Sequence, residues 1–259
     1  MNRVAVLVVS FGTTYPQTRQ KTIEATENAF RTAFPNTKVF RAFTSNVVIS
    51  RIKAHEGLQI DTPEEALDRI KDEGFETVYV QSLHMIPGIE YHRLLQQVTK
   101  VRDRFSKVVV GKPMLVSYID YVKVINFLRG VGGTLADNEA VLFMGHGTSD
   151  RAFTAYACLD HMLMGSQHYL GAVESYPDIQ FEINRLKKDG ITRVRLQPFM
   201  LVAGNHAHQD MASDKPTSWK RLLEASGIQV DAQLKGMGEY PFIQQQFIEH
   251  LKKQLKEVK

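Results

Sequence analysis

The sequence predicts an α/β protein made of two similar three-layer domains, each with a central parallel sheet flanked by helices. Apolar, strand-like runs alternate along the chain with segments whose apolar residues recur at helical spacing. Such alternation is typical of parallel sheets covered by helices on both faces. The two halves of the chain also resemble each other, and 259 residues are enough for two domains of ordinary size.

Seven runs are predicted to be strands because they are short, apolar and bounded by turn-forming or polar segments. In chain order they are Val4–Ser10, Lys38–Ala42, Thr77–Leu83, Lys107–Val110, Ala140–Met144, Arg193–Phe199 and Gln229–Gln233. The segments 16–34 and 62–74 carry apolar residues at helical spacing, and Thr62-Pro63 is a predicted helix start. Four of the predicted strands lie before residue 130 and three after it, with helix-like segments between them.

The internal resemblance aligns "IKDEGFETVYVQSL" from Ile70 with "LKKDGITRVRLQPF" from Leu186 without a gap. In this register Gly74 matches Gly190, Gln81 matches Gln197, and Glu90 falls opposite His206. A second alignment places Phe11 opposite His146. The Gly-rich segment after Arg129 is the predicted join between an N-terminal domain, 1–130, and a C-terminal domain, 131–259, which contains His146 and His206.

Composition restricts the class of function. The formal net charge of +4 suits an anionic small molecule and is too weak, by itself, to indicate nucleic acid. One cysteine, Cys158, excludes an internal disulfide or a cysteine-based metal cluster within one chain. The apolar runs are shorter than the roughly 20 residues that span a bilayer, and the first residues lack the pattern of a signal peptide. We therefore expect a cytoplasmic protein without membrane or nucleic-acid partners.

Polar side chains follow several of the apparent strand ends, where open α/β sheets bind their ligands. His146 stands between two glycines in "VLFMGHGTSD", Glu174 follows "YLGAV", and Glu90 follows "VQSLHMIPG". His206 and His208 follow "LQPFMLVAGN". Two histidines and a carboxylate are a common ligand set for divalent first-row metals, so we expect these residues to face one cleft. The flanking glycines indicate that something approaches His146 closely.

Other interpretations stay open for several of these residues. His55, His168 and His250 are expected to be solvated and His161 to be structural, whereas His84 and His92 are open between packing and the cleft. Glu174 also suits the start of a helix, where acidic residues are favoured. The sequence has no GxxxxGK[ST], GxGxxG or GxSxG motif, so neither a nucleotide cofactor nor a serine hydrolase is indicated.

The motifs together resemble the anaerobic-type sirohydrochlorin cobaltochelatases, over nearly the whole chain and in the same order. They are "VVSFGTTY", "FRAFTS", "QSLHMIPGIEY", "FMGHGTS", "AYACLDHML", "GAVESYP" and "LVAGNHAHQDMASD". The resemblance implies the ferrochelatase-like chelatase fold and ATP-independent insertion of Co2+ into sirohydrochlorin, an anionic tetrapyrrole of the cobalamin and sirohaem branch. It also allows a homo-oligomer.

The resemblance also implies roles for individual residues. His146 and His206 match the catalytic histidines, Glu174 matches the carboxylate that holds the metal with them, and Glu90 matches an acidic position across the cleft. Asn205 stands where the family carries an acidic residue, and His208 is an addition. Insertion requires two pyrrole protons to leave, so a base close to the metal fits this chemistry.

Two alternatives remain at the level of the sequence. A ferrochelatase acting on sirohydrochlorin would use nearly the same residues, because a His/His/Glu set does not separate cobalt from iron or nickel. A carrier that binds metal or tetrapyrrole without turnover needs ligands and no proton acceptor. The pairing of Glu90 with His206 in the two repeats favours an enzyme over a carrier.

Overall fold

The computed structural model describes residues 3–257, which form two compact units, each with a four-stranded parallel sheet. The first unit extends to Val116 and resumes at Gly238, and the second unit comprises Ser117–Met237. The predicted class, two α/β units with helices packed around parallel sheets, is confirmed. Within residues 3–257, no helix combines the length and apolar character needed to cross a bilayer.

The elements follow in the order that the alternating pattern predicts. In the first half they are β1 (Val4–Ser10), α1 (Pro16–Arg19), α2 (Ala25–Ala33), β2 (Lys38–Phe43), α3 (Asn46–Glu56), α4 (Pro63–Asp72), β3 (Thr77–Ser82), α5 (Ile89–Val101) and β4 (Lys107–Gly111). Then come α6 (Tyr118–Leu128), β5 (Glu139–Gly145), α7 (Thr154–Leu163), β6 (His168–Ala172), α8 (Ile179–Lys188), β7 (Arg193–Pro198), α9 (Trp219–Ala225), β8 (Gln229–Ala232) and α10 (Pro241–Glu257).

The sheet of the first unit has the order β2-β1-β3-β4, with β1 buried on both faces. Successive side chains of a strand point to opposite faces, so Leu7 and Val9 share one face and Val6 and Val8 the other. The first face packs on α4 and α5 in one apolar cluster. Helix α10 contacts α2, β3 and β4. Helix α4 starts at the predicted Thr62-Pro63, where Thr62 is the N-cap and forms a capping box with Glu65.

The sheet of the second unit has the equivalent order, β6-β5-β7-β8. Leu142 and Met144 of β5 pack with residues of α8 and α9 in a second apolar cluster. Helix α7 lies along β6 and contacts α6. Strand β5 is therefore an inner strand covered by helices, and its carboxyl end sets the position of His146, the residue that follows it.

Equivalent hydrogen bonds support the internal resemblance. The Gln81 side-chain amide donates to the Lys112 carbonyl over 2.8 Å, and the Gln197 amide donates to the Lys235 carbonyl over 3.2 Å. Both glutamines lie at the carboxyl end of the strand that pairs with the central strand of its sheet. The aligned glutamines are therefore structurally equivalent, since each ties its strand to the segment after the edge strand.

The grouping of the elements differs from the predicted division at residue 130. Helix α6 precedes that point, yet it packs on α7 and belongs to the second unit. Helix α10 ends the chain, yet it belongs to the first unit through its contacts with α2, β3 and β4. The C-terminal helix packs on the N-terminal unit through contacts between segments that are distant in sequence. A single boundary along the chain does not describe such an arrangement.

Strand β6 is absent from the predicted strands, and the expectation that His168 is solvated is wrong. His168 opens β6 and is 5% exposed, with its ring 6.3 Å from that of Phe143 in a stacked arrangement. Its Nε2 lies 2.9 Å from the Val131 carbonyl oxygen, to which it donates. Burial lowers the pKa of His168, which favours the neutral ring.

Candidate metal centre

Three adjacent strands bring the predicted ligands together. Strands β6, β5 and β7 are neighbours in this order, and Glu174, His146 and His206 follow them, respectively. The carboxyl ends of parallel strands meet at one edge of the sheet, so segments far apart in sequence converge there. This convergence forms a group, here called the donor triad, of His146, Glu174 and His206.

The donor triad is compact enough to hold one metal ion. One ligand atom from each of the three residues lies within 4.8 Å of the other two. The two Nε2 atoms of His146 and His206 are 3.0 Å apart, and their ring planes are close to perpendicular, at 84°. Nδ1 of His146 is 3.7 Å from Oε2 of Glu174. All three side chains are partly exposed, so an ion from solution has access to them.

Each ring has a hydrogen-bond partner at Nδ1, which favours the hydrogen on that nitrogen and the lone pair on Nε2. Nδ1 of His146 lies 3.0 Å from the Gly147 carbonyl oxygen, which only accepts, so Nδ1 carries the hydrogen in this bond. Nδ1 of His206 lies 2.6 Å from Oδ2 of Asp210. With hydrogens on both Nδ1 atoms, two lone pairs face each other across 3.0 Å, and a cation relieves their repulsion.

The separation of the two nitrogens suits a first-row metal. Metal–nitrogen bonds of about 2.1 Å at a right angle place two nitrogens about 3.0 Å apart, close to the observed distance. The third donor, Glu174, supplies a carboxylate oxygen and a negative charge. Nitrogen and oxygen donors of this kind fit borderline divalent ions such as Co2+, Fe2+ and Ni2+.

The glycines around His146 serve a different purpose from the expected one. A Cβ at Gly145 would lie 2.5 Å from Cε1 of Tyr156, and a Cβ at Gly147 would lie 2.8 Å from the backbone nitrogens of Glu174 and Ser175. Gly147 also has a φ of +88°, a backbone conformation that residues other than glycine rarely adopt. The space that the sequence assigned to an approaching ligand is filled by the protein itself, which packs the Glu174 segment against the His146 segment.

Tyr156 is a buried neighbour of the donor triad that the sequence pattern did not single out. It is 3% exposed, and burial raises its pKa to about 12, assisted by the negative charge of Glu174 and opposed by the Gly147 backbone N–H beside its oxygen. The hydroxyl therefore keeps its hydrogen at neutral pH. Its ring occupies the space that Gly145 leaves free.

Glu90 lies in the first unit, in the first turn of α5, where it pairs with Arg93 over 2.9 Å. His84, which follows β3, has Nδ1 2.8 Å from the Ser82 hydroxyl. Burial lowers the pKa of His84 to about 4, although the charge of Glu90 acts in the opposite direction. His84 therefore stays neutral over the physiological range, and the predicted role of Glu90 as a proton acceptor stays a prediction.

The remaining histidines lie outside the donor triad. His208 is half-buried, and burial lowers its pKa, but the segment turns helical at His206, so the rings of His206 and His208 diverge. His161 is exposed on α7, and His55 is exposed on α3. His250 is half-buried, with Nδ1 3.3 Å from the Lys112 carbonyl oxygen.

Two neighbours of the donor triad, Asp210 and Tyr156, were not singled out from the sequence. A carboxylate four residues after His206 was visible in "HAHQD", and this spacing places side chains on one face of a helix. No local signal indicated a helix there, since the segment follows a glycine and an asparagine. Tyr156 lies in a resemblance motif, but its apolar surroundings indicate only core packing.

Comparisons with known proteins find relatives that match this chain over nearly its whole length. The family model described as cobalt chelatase (CbiK) matches residues 4–256. A sirohydrochlorin cobaltochelatase of Salmonella typhimurium is 45% identical over 250 residues, covering 95% of this chain and 94% of that protein. The sirohydrochlorin cobaltochelatase CbiKC of Nitratidesulfovibrio vulgaris is 32% identical over 256 residues, covering 97% and 90%.

A solved structure supports the fold independently. SirB from Bacillus subtilis, solved with Fe3+, superposes with a TM-score of 0.68 and covers 99% of this chain and 97% of its own. Its sequence is only 16% identical, so the likeness concerns the fold alone. The family match over nearly the whole chain and the two relatives at 45% and 32% identity are decisive: this chain belongs to the cobalt chelatase (CbiK) family.

Proposed function

We propose that this protein inserts Co2+ into sirohydrochlorin without ATP, as a step of anaerobic cobalamin biosynthesis. The observation that carries the proposal is the donor triad, in which two Nε2 atoms 3.0 Å apart and a carboxylate converge at the carboxyl edge of one sheet. The activity of the two relatives named sirohydrochlorin cobaltochelatase supports the choice of metal and ring. Cobalt is here a substrate, which leaves with the product.

The reaction exchanges two protons for one metal ion. Two pyrrole N–H bonds break, two Co–N bonds form with the same electron pairs, and two further Co–N bonds use lone pairs that the ring already has. No oxidant, reductant or nucleotide is needed for this balance. The protein must therefore hold the ion loosely, release it to the ring and take up two protons.

The donor triad meets both requirements, metal binding and proton uptake. A neutral imidazole binds a borderline ion through the same lone pair that accepts a proton once the ion has moved to the ring. In this proposal His146, His206 and Glu174 present Co2+, and one of the histidines takes the first pyrrole proton. Glu90, carried by the first unit on α5, accepts or relays the second proton.

The test is anaerobic absorbance spectroscopy of the purified protein with sirohydrochlorin and Co2+. We expect the cobalt complex to form well above the uncatalysed rate, with no effect of added ATP, and we expect His146→Ala to lose this acceleration. His55→Ala is the matched control, because His55 is exposed on α3 and outside the donor triad. It should retain the wild-type rate.

Three outcomes would change the proposal. Insertion no faster than in buffer, together with binding of the ring, would identify a carrier. Faster insertion of Fe2+ than of Co2+ under the same conditions would assign the protein to the sirohaem branch. Full activity of His146→Ala would remove the donor triad from the mechanism.

A further inference from the structure

A carboxylate behind His206 occupies a position that the roles of the donor triad do not explain. Asp210 lies in the π-helical turn Ala207–Met211, which His206 precedes directly. Its Oδ2 is 2.6 Å from Nδ1 of His206, on the side of the ring opposite the donor triad. Asp210 itself is not one of the three residues whose ligand atoms converge.

The contact decides which nitrogen of His206 carries the hydrogen. A neutral histidine has one N–H, and a free imidazole in water exchanges between the Nδ1–H and Nε2–H tautomers. An ionised carboxylate only accepts, so it favours the hydrogen on Nδ1 and leaves the lone pair on Nε2. Nε2 is the atom that lies 3.0 Å from Nε2 of His146, where the metal ion is needed.

The local backbone gives the contact its geometry. The π-helical turn closes with the Ala212 N–H donating to the Ala207 carbonyl over 3.1 Å, a five-residue step that is wider than that of an α-helix. Single π-helical turns of this kind are frequent at functional sites. Here the turn holds the ring of His206 and the carboxylate of Asp210 on one side, while Ala207 and Met211 are buried in the core.

We propose that Asp210 is a positioning residue, which holds His206 in the Nδ1–H tautomer and in the ring orientation that presents Nε2 to the metal ion. This inference rests on the proposed function for its purpose, but it concerns an arrangement that exists in the metal-free protein. Carboxylates that orient metal-binding histidines in other proteins contribute about 10- to 100-fold to metal affinity or activity.

A nearby carboxylate provides the control. Asp214 follows on the same segment, its side chain is 85% exposed, and it pairs with Lys220 over 3.1 Å. It has the same charge and lies four residues beyond Asp210, but it contacts a lysine instead of the histidine. Asp214→Asn therefore changes the charge near the site without changing the partner of His206.

The first measurement uses the full-length protein without metal. Nitrogen-15 NMR of the histidine rings, at a pH above the titration range of imidazole, distinguishes a protonated ring nitrogen from an unprotonated one. We expect His206 in the wild type and in Asp214→Asn to show protonated Nδ1 and unprotonated Nε2. In Asp210→Ala the two tautomers should mix. In Asp210→Asn, whose amide oxygen still accepts from Nδ1, the wild-type tautomer should be largely retained.

The second measurement titrates each variant with Co2+ alone, without tetrapyrrole. We expect Asp210→Ala to lose about 10- to 100-fold in affinity, Asp210→Asn to lose less, and Asp214→Asn to match the wild type. Asp210 is 42% exposed on its side chain, and Asp210→Asn preserves its shape, so at least one variant is expected to fold as the wild type does.

The outcomes separate this inference from the proposed function. An unchanged tautomer together with unchanged Co2+ affinity in Asp210→Ala would overturn the positioning role, whatever the protein catalyses. A changed tautomer and weakened Co2+ binding, in a protein that inserts no cobalt into sirohydrochlorin, would support the positioning role and refute the proposed function.

Discussion

Replacing Gly147 by alanine tests the packing on which the donor triad depends. Gly147 has a φ of +88°, and its new Cβ would lie 2.8 Å from the backbone nitrogens of both Glu174 and Ser175. The left-handed backbone costs an alanine roughly 1–2 kcal/mol. Overlap with backbone atoms, which have no rotamer to escape into, adds about 1–3 kcal/mol, as overpacking does elsewhere.

The matched control is Gly165→Ala. Gly165 has a similar φ of +78° in the same unit, but a Cβ there would meet nothing within 4 Å. This control carries the conformational cost without the overlap, so the difference between the two variants isolates the contact with the Glu174 segment. We expect Gly147→Ala to lose about 1–3 kcal/mol more in free energy of unfolding than Gly165→Ala.

Urea unfolding provides the free energies, and titration with Co2+ provides the functional consequence. Because the overlap displaces the segment that carries Glu174, Gly147→Ala should weaken Co2+ binding by about tenfold or more, whereas Gly165→Ala should leave it unchanged. Equal losses of stability in the two variants, or unchanged Co2+ affinity in Gly147→Ala, would refute the packing argument. The glycines would then be explained, as the sequence suggested, by a ligand that approaches His146 closely.

Two further predictions concern stability. Burial, with the negative charge of Asp160 nearby, raises the pKa of Glu182 from 4.5 to about 8, so the folded protein keeps a proton that the unfolded chain releases in this range. The free energy of unfolding should therefore fall as the pH rises from 4.5 to about 8. Glu182→Gln should make this decline less steep, whereas the control Glu76→Gln, at an exposed position, should leave it unchanged. Thr62→Ala removes the capping box of α4 and should cost about 0.5–2 kcal/mol in urea unfolding, whereas Thr99→Ala, at an exposed helical position, should not destabilise. An unchanged pH profile in Glu182→Gln, or equal stability of the two threonine variants, would contradict these assignments.

Local pattern was sufficient for most of the fold. A short continuous apolar run such as Val4–Ser10 is typical of a strand in a parallel sheet covered on both faces. The structure agrees, since β1 is buried on both faces. Strand β6 was not among the predicted strands, although "YLGAV" indicated a strand end, because it begins at the polar His168 directly after Ser166 and Gln167. His168 is accommodated inside by the Val131 carbonyl and the ring of Phe143, partners far away in the sequence.

The sequence also predicted that the candidate ligands follow strand ends, because the end of a strand is a local feature of the chain. By itself the sequence predicted two α/β units from residue types and their periodicity, and the resemblance to the cobaltochelatases selected His146, His206 and Glu174 as the candidate donor set. The tertiary structure alone decided that β6, β5 and β7 are neighbours, that Gly147 makes room for the Glu174 backbone, and that Asp210 backs His206. These features depend on strand order, close backbone approach and a π-helical turn, which arise from contacts between distant residues and leave no periodic trace in the chain.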